Sequence, residues 1–156
     1  MRKSIVLNTT YILPFFGIEV SGVDDEKLLR HREDDAGLLY PQLLLPELAA
    51  KIAKEMRRHG LREPPQQVSE ALMALLLEVY VGLVQPRAEH LENAMTPRAL
   101  GHPDVFDCIL YVTALHEETL LPTKDEKLLR FLEENRFNTN MFIELWPSGI
   151  QEELEY

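Results

Sequence analysis

Five oxygen-bearing side chains stand at or near expected helix starts: Asn8, Glu47, Asp104, Asp107 and Asp125. Taken singly, each has an ordinary explanation. A carboxylate near a helix N-terminus gains about 0.3–1 kcal/mol from the helix dipole. Glu47 directly follows Pro46, and Asp104 directly follows Pro103. Thr123 and Glu126 have the T-x-x-E spacing of a capping box, which would leave Asp125 as a first-turn acid. Asn8 is a favoured cap residue in its own right. Asp107 fits this account least well. It lies among Phe106, Cys108, Ile109 and Leu110, a full turn into a helix expected from Pro103. A carboxylate on so apolar an element needs a partner, either a cation or a buried basic side chain. Taken together, these residues form a set of hard oxygen donors, which suits Mg²⁺ or Mn²⁺. An ion held in that way activates water and stabilises charge on a phosphodiester.

The elements that would carry these residues alternate between strand and helix. Ser4 to Leu7, Leu38 to Leu43, Val79 to Val84, Thr119 to Leu121 and Met141 to Leu145 are short apolar strand candidates. Thr10 to Phe16 reads as a helix shortened by Pro14 and ended by Gly17. Asp24 to Asp35 reads as a polar helix. Pro46 opens a helix that Gly60 closes, the usual proline-first, glycine-last punctuation. Gln66 to Glu78 is another helix, followed by short ones at Arg87 to Met95 and Pro97 to Leu100. A longer helix runs from Pro103 to about Glu118, and a last one from Asp125 to Asn135. The pattern predicts an α/β, three-layer domain with a mostly parallel, short-stranded sheet. Such folds place their sites at the carboxyl ends of the strands. The chain is read as one domain over residues 1–156, with residues 147–156 as an acidic tail.

Composition narrows the function classes. With 46% hydrophobic and 27% charged residues, the chain belongs with folded, soluble proteins. Its formal net charge of −10 disfavours a simple basic groove for nucleic acid. That charge suits a carboxylate cluster neutralised by divalent cations, or a basic protein partner. The one cysteine, Cys108, rules out an internal disulfide framework and points to a reducing, cytoplasmic setting. Asn8, Thr9 and Thr10 interrupt the apolar N-terminal run, so it is not read as a signal peptide. No apolar stretch reaches the roughly 18 residues of a membrane span. The five histidines lack zinc-ligand spacing. Phosphate-cradling glycine loops are also absent. His102 is expected to pack at a helix start or to face the acidic edge. The basic run KEMRRHGLR is expected to be a solvated helix end, with RNA contact as the alternative. Trp146 is expected to plug the sheet end.

Four stretches together resemble the PIN-domain family of nucleases: IVLNTTYIL, YPQLLLPEL, HPDVFDCILYVTAL and LLPTKDEKLL. The resemblance extends from about Lys3 to Leu145. It includes Asp107 seven residues before Ala114, and a strand, threonine and aspartate ending in Asp125. The resemblance implies a metal-dependent ribonuclease with Mg²⁺ or Mn²⁺ held by Glu47, Asp107 and Asp125. Asp104 is an added acid, and Thr9 and Thr123 are supporting hydroxyls. It also implies an RNA substrate, a homodimer and, for toxin members, a basic antitoxin-like partner; no membrane association is expected from the hydropathy. The departure is Asn8, where the family carries a metal-binding aspartate. The amide keeps a neutral oxygen but lowers the site charge by one. Three explanations stay open: a weakened or inactive relative, an introduced substitution, or one ion still held by the remaining acids. The alternative function is a catalytically inactive PIN-like module binding RNA or protein. A receiver-like signalling domain is a third class, drawn from the strand-end acids and Lys124.

Overall fold

The structure, a computed structural model, describes residues 3–23, 26, 37–123 and 125–143. The expected Asp24–Asp35 helix lies mostly outside those residues. His31, Lys124, the end of the final strand, Trp146 and the acidic tail lie wholly outside them.

Strands β1 (Ile5–Val6), β2 (Leu38–Pro41) and β3 (Gly82–Val84) form one sheet. Strands β4 (Leu121–Pro122) and β5 (Phe142–Ile143) pair beside it. Every pairing is parallel. A parallel bridge between Ile5 and Leu120 joins the two groups. It rests on Val6 N–H donating to Leu120 O and Leu120 N–H donating to Ser4 O, both at 2.9 Å. The spatial order is therefore β3-β2-β1-β4-β5. The chain winds outward from β1 to β3, then crosses back to the other side of β1. Right-handed crossovers place the connections of the two halves on opposite faces of the sheet. The result is the expected α/β arrangement, and its order reverses between β1 and β4. Receiver-like domains follow the order 2-1-3-4-5 instead.

The strands are shorter than their apolar runs, and local geometry explains why. β2 stops at Pro41 because Gln42–Leu44 turns into a 3₁₀ segment that leads into α2 (Leu45–Arg58). Residues before Gly82 are used in a turn after α3 (Gln66–Leu76), where Glu78 adopts a left-handed φ of 54°. Helix α1 (Thr9–Ile12) passes into a 3₁₀ turn, Leu13–Phe16, which carries Pro14. Gly17 ends that turn at φ 76°, and a Cβ there would stand 2.5 Å from the Gln67 side chain. The left-handed φ favours glycine at that junction.

The two short helices expected around Pro97 form one helix, α4 (Ala88–Ala99), with the proline inside it. Proline there removes the N–H bond that position 97 would make one turn back, yet the helix continues through it to Ala99. Helix α5 runs Val105–His116 and α6 Glu126–Glu134. With nine residues, α6 is too short to persist alone in water. Buried Leu128 and Leu132 hold it, each contributing about 1.5–3 kcal/mol, more than the roughly 1 kcal/mol of a cap. Packing therefore keeps the helix folded, and the cap fixes where it begins.

The buried apolar side chains form one cluster, centred on the first two strands, Leu44, Leu48 and the inner face of α5. Among the described residues no helix is long and apolar enough to cross a membrane. Met73, Leu76 and Leu77 at the end of α3 are exposed. Cys108 is buried, and its thiol is pushed up to about 11, which keeps it protonated and unreactive.

His90 is also buried, between α4 and α5. The Arg87 backbone N–H donates to its Nδ1 at 3.3 Å, so Nδ1 must be unprotonated. Burial holds this imidazole below its ordinary value. The charges of Arg87 and His116 act in the same direction, against Glu117 and Glu89. A depressed histidine supports the fold above the unfolded pKa, and that support is lost as pH falls through the folded value. Unfolding free energy measured in urea is expected to decline as pH drops below about 6.5. In His90→Gln that part of the decline should be smaller.

Candidate metal centre at the strand crossover

The crossover between β1 and β4 opens a cleft of about 550 Å³. Open α/β sheets bind ligands at such a reversal, beyond the carboxyl ends of the strands. All five site residues expected from the sequence line this cleft, as do Thr9 and Thr123. Asn8 follows β1, Glu47 lies in the first turn of α2, and Asp107 lies in the first turn of α5. Asp104 caps α5, and Asp125 follows β4 and caps α6. Phe106, Leu110 and Leu128 supply an apolar wall, and Lys51 a positive charge.

Three of the oxygen donors are fixed by backbone N–H groups. Asn8 Oδ1 accepts from Tyr11 N–H at 3.1 Å. Asp104 Oδ1 accepts from Phe106 N–H at 2.8 Å and Asp107 N–H at 3.4 Å. Asp125 Oδ1 accepts from Lys127 N–H at 3.0 Å and Leu128 N–H at 3.2 Å. The expected Thr123–Glu126 box does not form, because Asp125 itself is the cap. Thr123 Oγ1 accepts instead from Asp125 N–H at 2.9 Å and sets the turn that presents Asp125. The helix expected from Pro103 begins at Val105, so Asp107 falls in its first turn and not a full turn inside.

Asp107 has the buried basic partner that its surroundings demand. His102 Nε2 lies 3.1 Å from Asp107 Oδ2. Burial holds the Asp107 carboxyl above its ordinary value. The His102 hydrogen bond opposes that, and the charges of Asp104 and Asp125 add to it. The charges of Asp104 and Asp125 therefore reach Asp107 across the cleft. Glu47 is paired with Lys51 at 3.3 Å, one helical turn along α2.

Thr9 does not face the acids as a free hydroxyl. It is buried, 2.9 Å from Tyr40 Oη, and Tyr40 donates its proton to Leu44 O at 3.0 Å. With that proton committed, the Thr9 hydroxyl donates to Tyr40. Burial pushes the Tyr40 phenol far above its ordinary value, so it stays protonated and the chain of bonds persists. This chain ties the end of β1, which bears Asn8, to the turn that delivers Glu47.

The donor chemistry suits a hard divalent cation. The side chains as placed do not close around one: among the described residues no three His, Cys, Asp or Glu side chains stand close enough to hold an ion together. The basic run behaves as a helix end. Lys54, Arg57, Arg58 and Arg62 are exposed at or beyond the C-terminal half of α2. Arg58 is eleven residues from Glu47, about 16 Å along the helix, and outside the cleft. Sequence reasoning did not assign Lys51 or Tyr40. Lys51 could have been found from its i+4 spacing to Glu47; nothing local marks Tyr40, whose partner Thr9 is 31 residues away.

The fold and cleft define an α/β domain with an acidic site at a strand crossover. The chain is similar in fold to PAE2754 from Pyrobaculum aerophilum, known from a crystal structure. The TM-score is 0.59 and identity 15%, covering 90% of this chain and 88% of that one. No family model matches the chain, and no curated protein matches it.

Two expectations follow from these contacts. Tyr40→Phe leaves the Leu44 carbonyl and the Thr9 hydroxyl unpaired, and should cost about 1–3 kcal/mol in urea unfolding. Asp107→Asn keeps an oxygen acceptor for His102 and removes the charge that burial disfavours. In the presence of chelator this variant should melt above the wild type. Because the Asp107 value is raised, the wild type is penalised as pH rises through it. The difference between the two should therefore grow from acid to neutral pH.

Proposed function

We propose that the chain is a PIN-type metal-dependent ribonuclease whose metal site is weakened by Asn8. The observation that carries this reading is convergence: four acids and an amide from four separated stretches line one cleft at the strand crossover. Glu47, Asp107 and Asp125 would hold Mg²⁺ or Mn²⁺, with Asp104 at the rim and Asn8 as a neutral oxygen donor. The chemistry such an ion supplies is activation of water and neutralisation of charge on the phosphodiester. The chain's own residues prepare the cleft for that chemistry. Caps and the Thr123 turn hold Asp104 and Asp125 on helix starts, where backbone bonds constrain a change of rotamer. Phe106, Leu110 and Leu128 exclude water from one wall, which strengthens electrostatic interactions nearby. Lys51 keeps Glu47 in place and offers a positive charge to an incoming phosphate. The same reading gives the protein a cytoplasmic setting and a basic antitoxin-like partner for its net charge of −10. It also gives a homodimer, in keeping with the exposed Met73, Leu76 and Leu77.

A second reading is favoured by one contact. Asn8 Oδ1 already caps α1, so the amide has less to offer an ion than a carboxylate with two oxygens. On that reading the chain is a non-catalytic PIN-like module that binds RNA or protein.

Mn²⁺ titration by calorimetry and cleavage of generic single-stranded RNA separate the two. The nuclease reading expects Mn²⁺ binding that Asp107→Asn weakens, and slow cleavage that a chelator abolishes. Asn8→Asp should raise that cleavage by about tenfold or more, equivalent to about 1.4 kcal/mol of barrier. A silent wild type made active by Asn8→Asp supports the second reading. Absence of both Mn²⁺ binding and cleavage in Asn8→Asp would exclude the nuclease assignment altogether.

A further inference from the structure

His102 lies outside the acid set yet meets Asp107, the member whose carboxyl burial disfavours. The residue follows Gly101, which takes φ 114°, and its backbone N–H donates to Pro97 O at 3.1 Å. The end of α4 therefore fixes its backbone. Its ring packs on Phe131 of α6, with centroids 5.0 Å apart and a tilt of 53°. The His102 side chain is 5% exposed, against 27% for Asp107. The more buried member of the pair is thus the histidine, and the carboxylate beside it stands at the cleft wall. Lys51 is engaged with Glu47, His90 with the Arg87–Glu117 pair and the His116 ring, and His116 with Glu89 and Asn93. Among the described residues, the His102 ring lies within hydrogen-bond distance of Asp107, and an ionised carboxylate can only accept, so Nε2 is the donor to it.

We propose that His102 is a positioning residue: its Nε2–H bond to Asp107 Oδ2 fixes the carboxylate so that the other oxygen is presented to a divalent cation. The assignment rests on the metal-binding reading above. Groups behind a ligand commonly set its orientation in this way, and their loss costs about 10–100-fold in metal affinity. His102 also connects three elements of the site. It ends α4, contacts the first turn of α5 and packs on α6, the helix capped by Asp125. One residue thereby relates the positions of two acids that repel one another.

The test compares Mn²⁺ affinity, by calorimetry on chelator-treated protein, for wild type, His102→Phe and His102→Gln. Phenylalanine keeps an aromatic ring against Phe131 but cannot donate. Glutamine loses the ring but carries an NH₂ at similar reach. Positioning expects His102→Phe to bind about 10–100-fold more weakly, and His102→Gln to recover most of that loss. A purely packing role expects the reverse order, and wild-type affinity in His102→Phe would overturn the proposal. Two-bond ¹H–¹⁵N spectra of the imidazole supply a readout independent of metal. The Nε2–H tautomer should dominate in wild type, and its signals should move in Asp107→Asn. If the bond is seen but wild type binds no Mn²⁺, the metal reading and the proposal's consequence both fall, although the contact is real. If Mn²⁺ binds but the tautomer is Nδ1–H, the positioning role alone falls.

Discussion

Like charges delivered to one sheet edge repel, and the structure of this protein follows from how that repulsion is restrained. Asn8, Asp104 and Asp125 each accept hydrogen bonds from N–H groups at the start of the helix they cap. At α5 and α6 the positive end of the helix therefore offsets part of the charge that its aspartate cap brings. The site and the helix starts are the same residues. Moving Asp104 or Asp125 away from the cleft would uncap its helix, so local helix stability and the placement of these two acids are coupled.

The crossover makes that coupling productive. Because β1 lies between β2 and β4, strand ends from both halves of the chain open onto one place. Caps alone would leave those ends free to drift apart by the play of short strands. Two further ties limit this. The Thr9–Tyr40–Leu44 bonds hold the end of β1 against the turn before α2. The His102–Asp107 bond and the His102 contact with Phe131 hold the start of α5 against α6. Each tie is largely buried, where an unpaired member would be costly, so each resists loosening more than an exposed ion pair does. Asp107 remains under strain in the electrostatic sense: its carboxyl is disfavoured by burial and by its neighbours' charges. Buried groups perturbed by specific charged neighbours in a cleft are characteristic of functional sites.

Much of this was legible in the sequence because it depends on local rules. Proline and glycine around α2 marked its ends, alternation of strands and helices marked the α/β class, and acids at helix starts marked the cleft residues. Errors arose where distant contacts or backbone turns override local preference. The apolar run from Val79 reads as a strand, but its first residues close the turn after α3. Pro97 suggests a break, yet packing of α4 along α5 carries the helix through. Thr123 and Glu126 have the spacing of a box, yet Asp125, between them, caps with better reach. The partner of Asp107 was required by the apolar surroundings, but whether a cation or a base would supply it depended on where His102 points. Thr9 could not be assigned to Tyr40 from spacing, since the contact exists only once β1 and β2 pair.

Asn8 shows most clearly which force decides at this site. Asparagine and aspartate cap helices about equally well, and either would accept the bond from Tyr11 N–H. Cap geometry therefore does not select the amide. The difference is one negative charge in a cleft that already holds Glu47, Asp104, Asp107 and Asp125. Without a cation that charge would raise the repulsion on Asp107, whose carboxyl is already disfavoured. With a divalent cation the same charge would be neutralised and would strengthen the grip on it. On the metal-binding reading proposed above, the residue at position 8 sets the balance between stability of the ion-free cleft and affinity for an ion, and the amide lies on the side of stability.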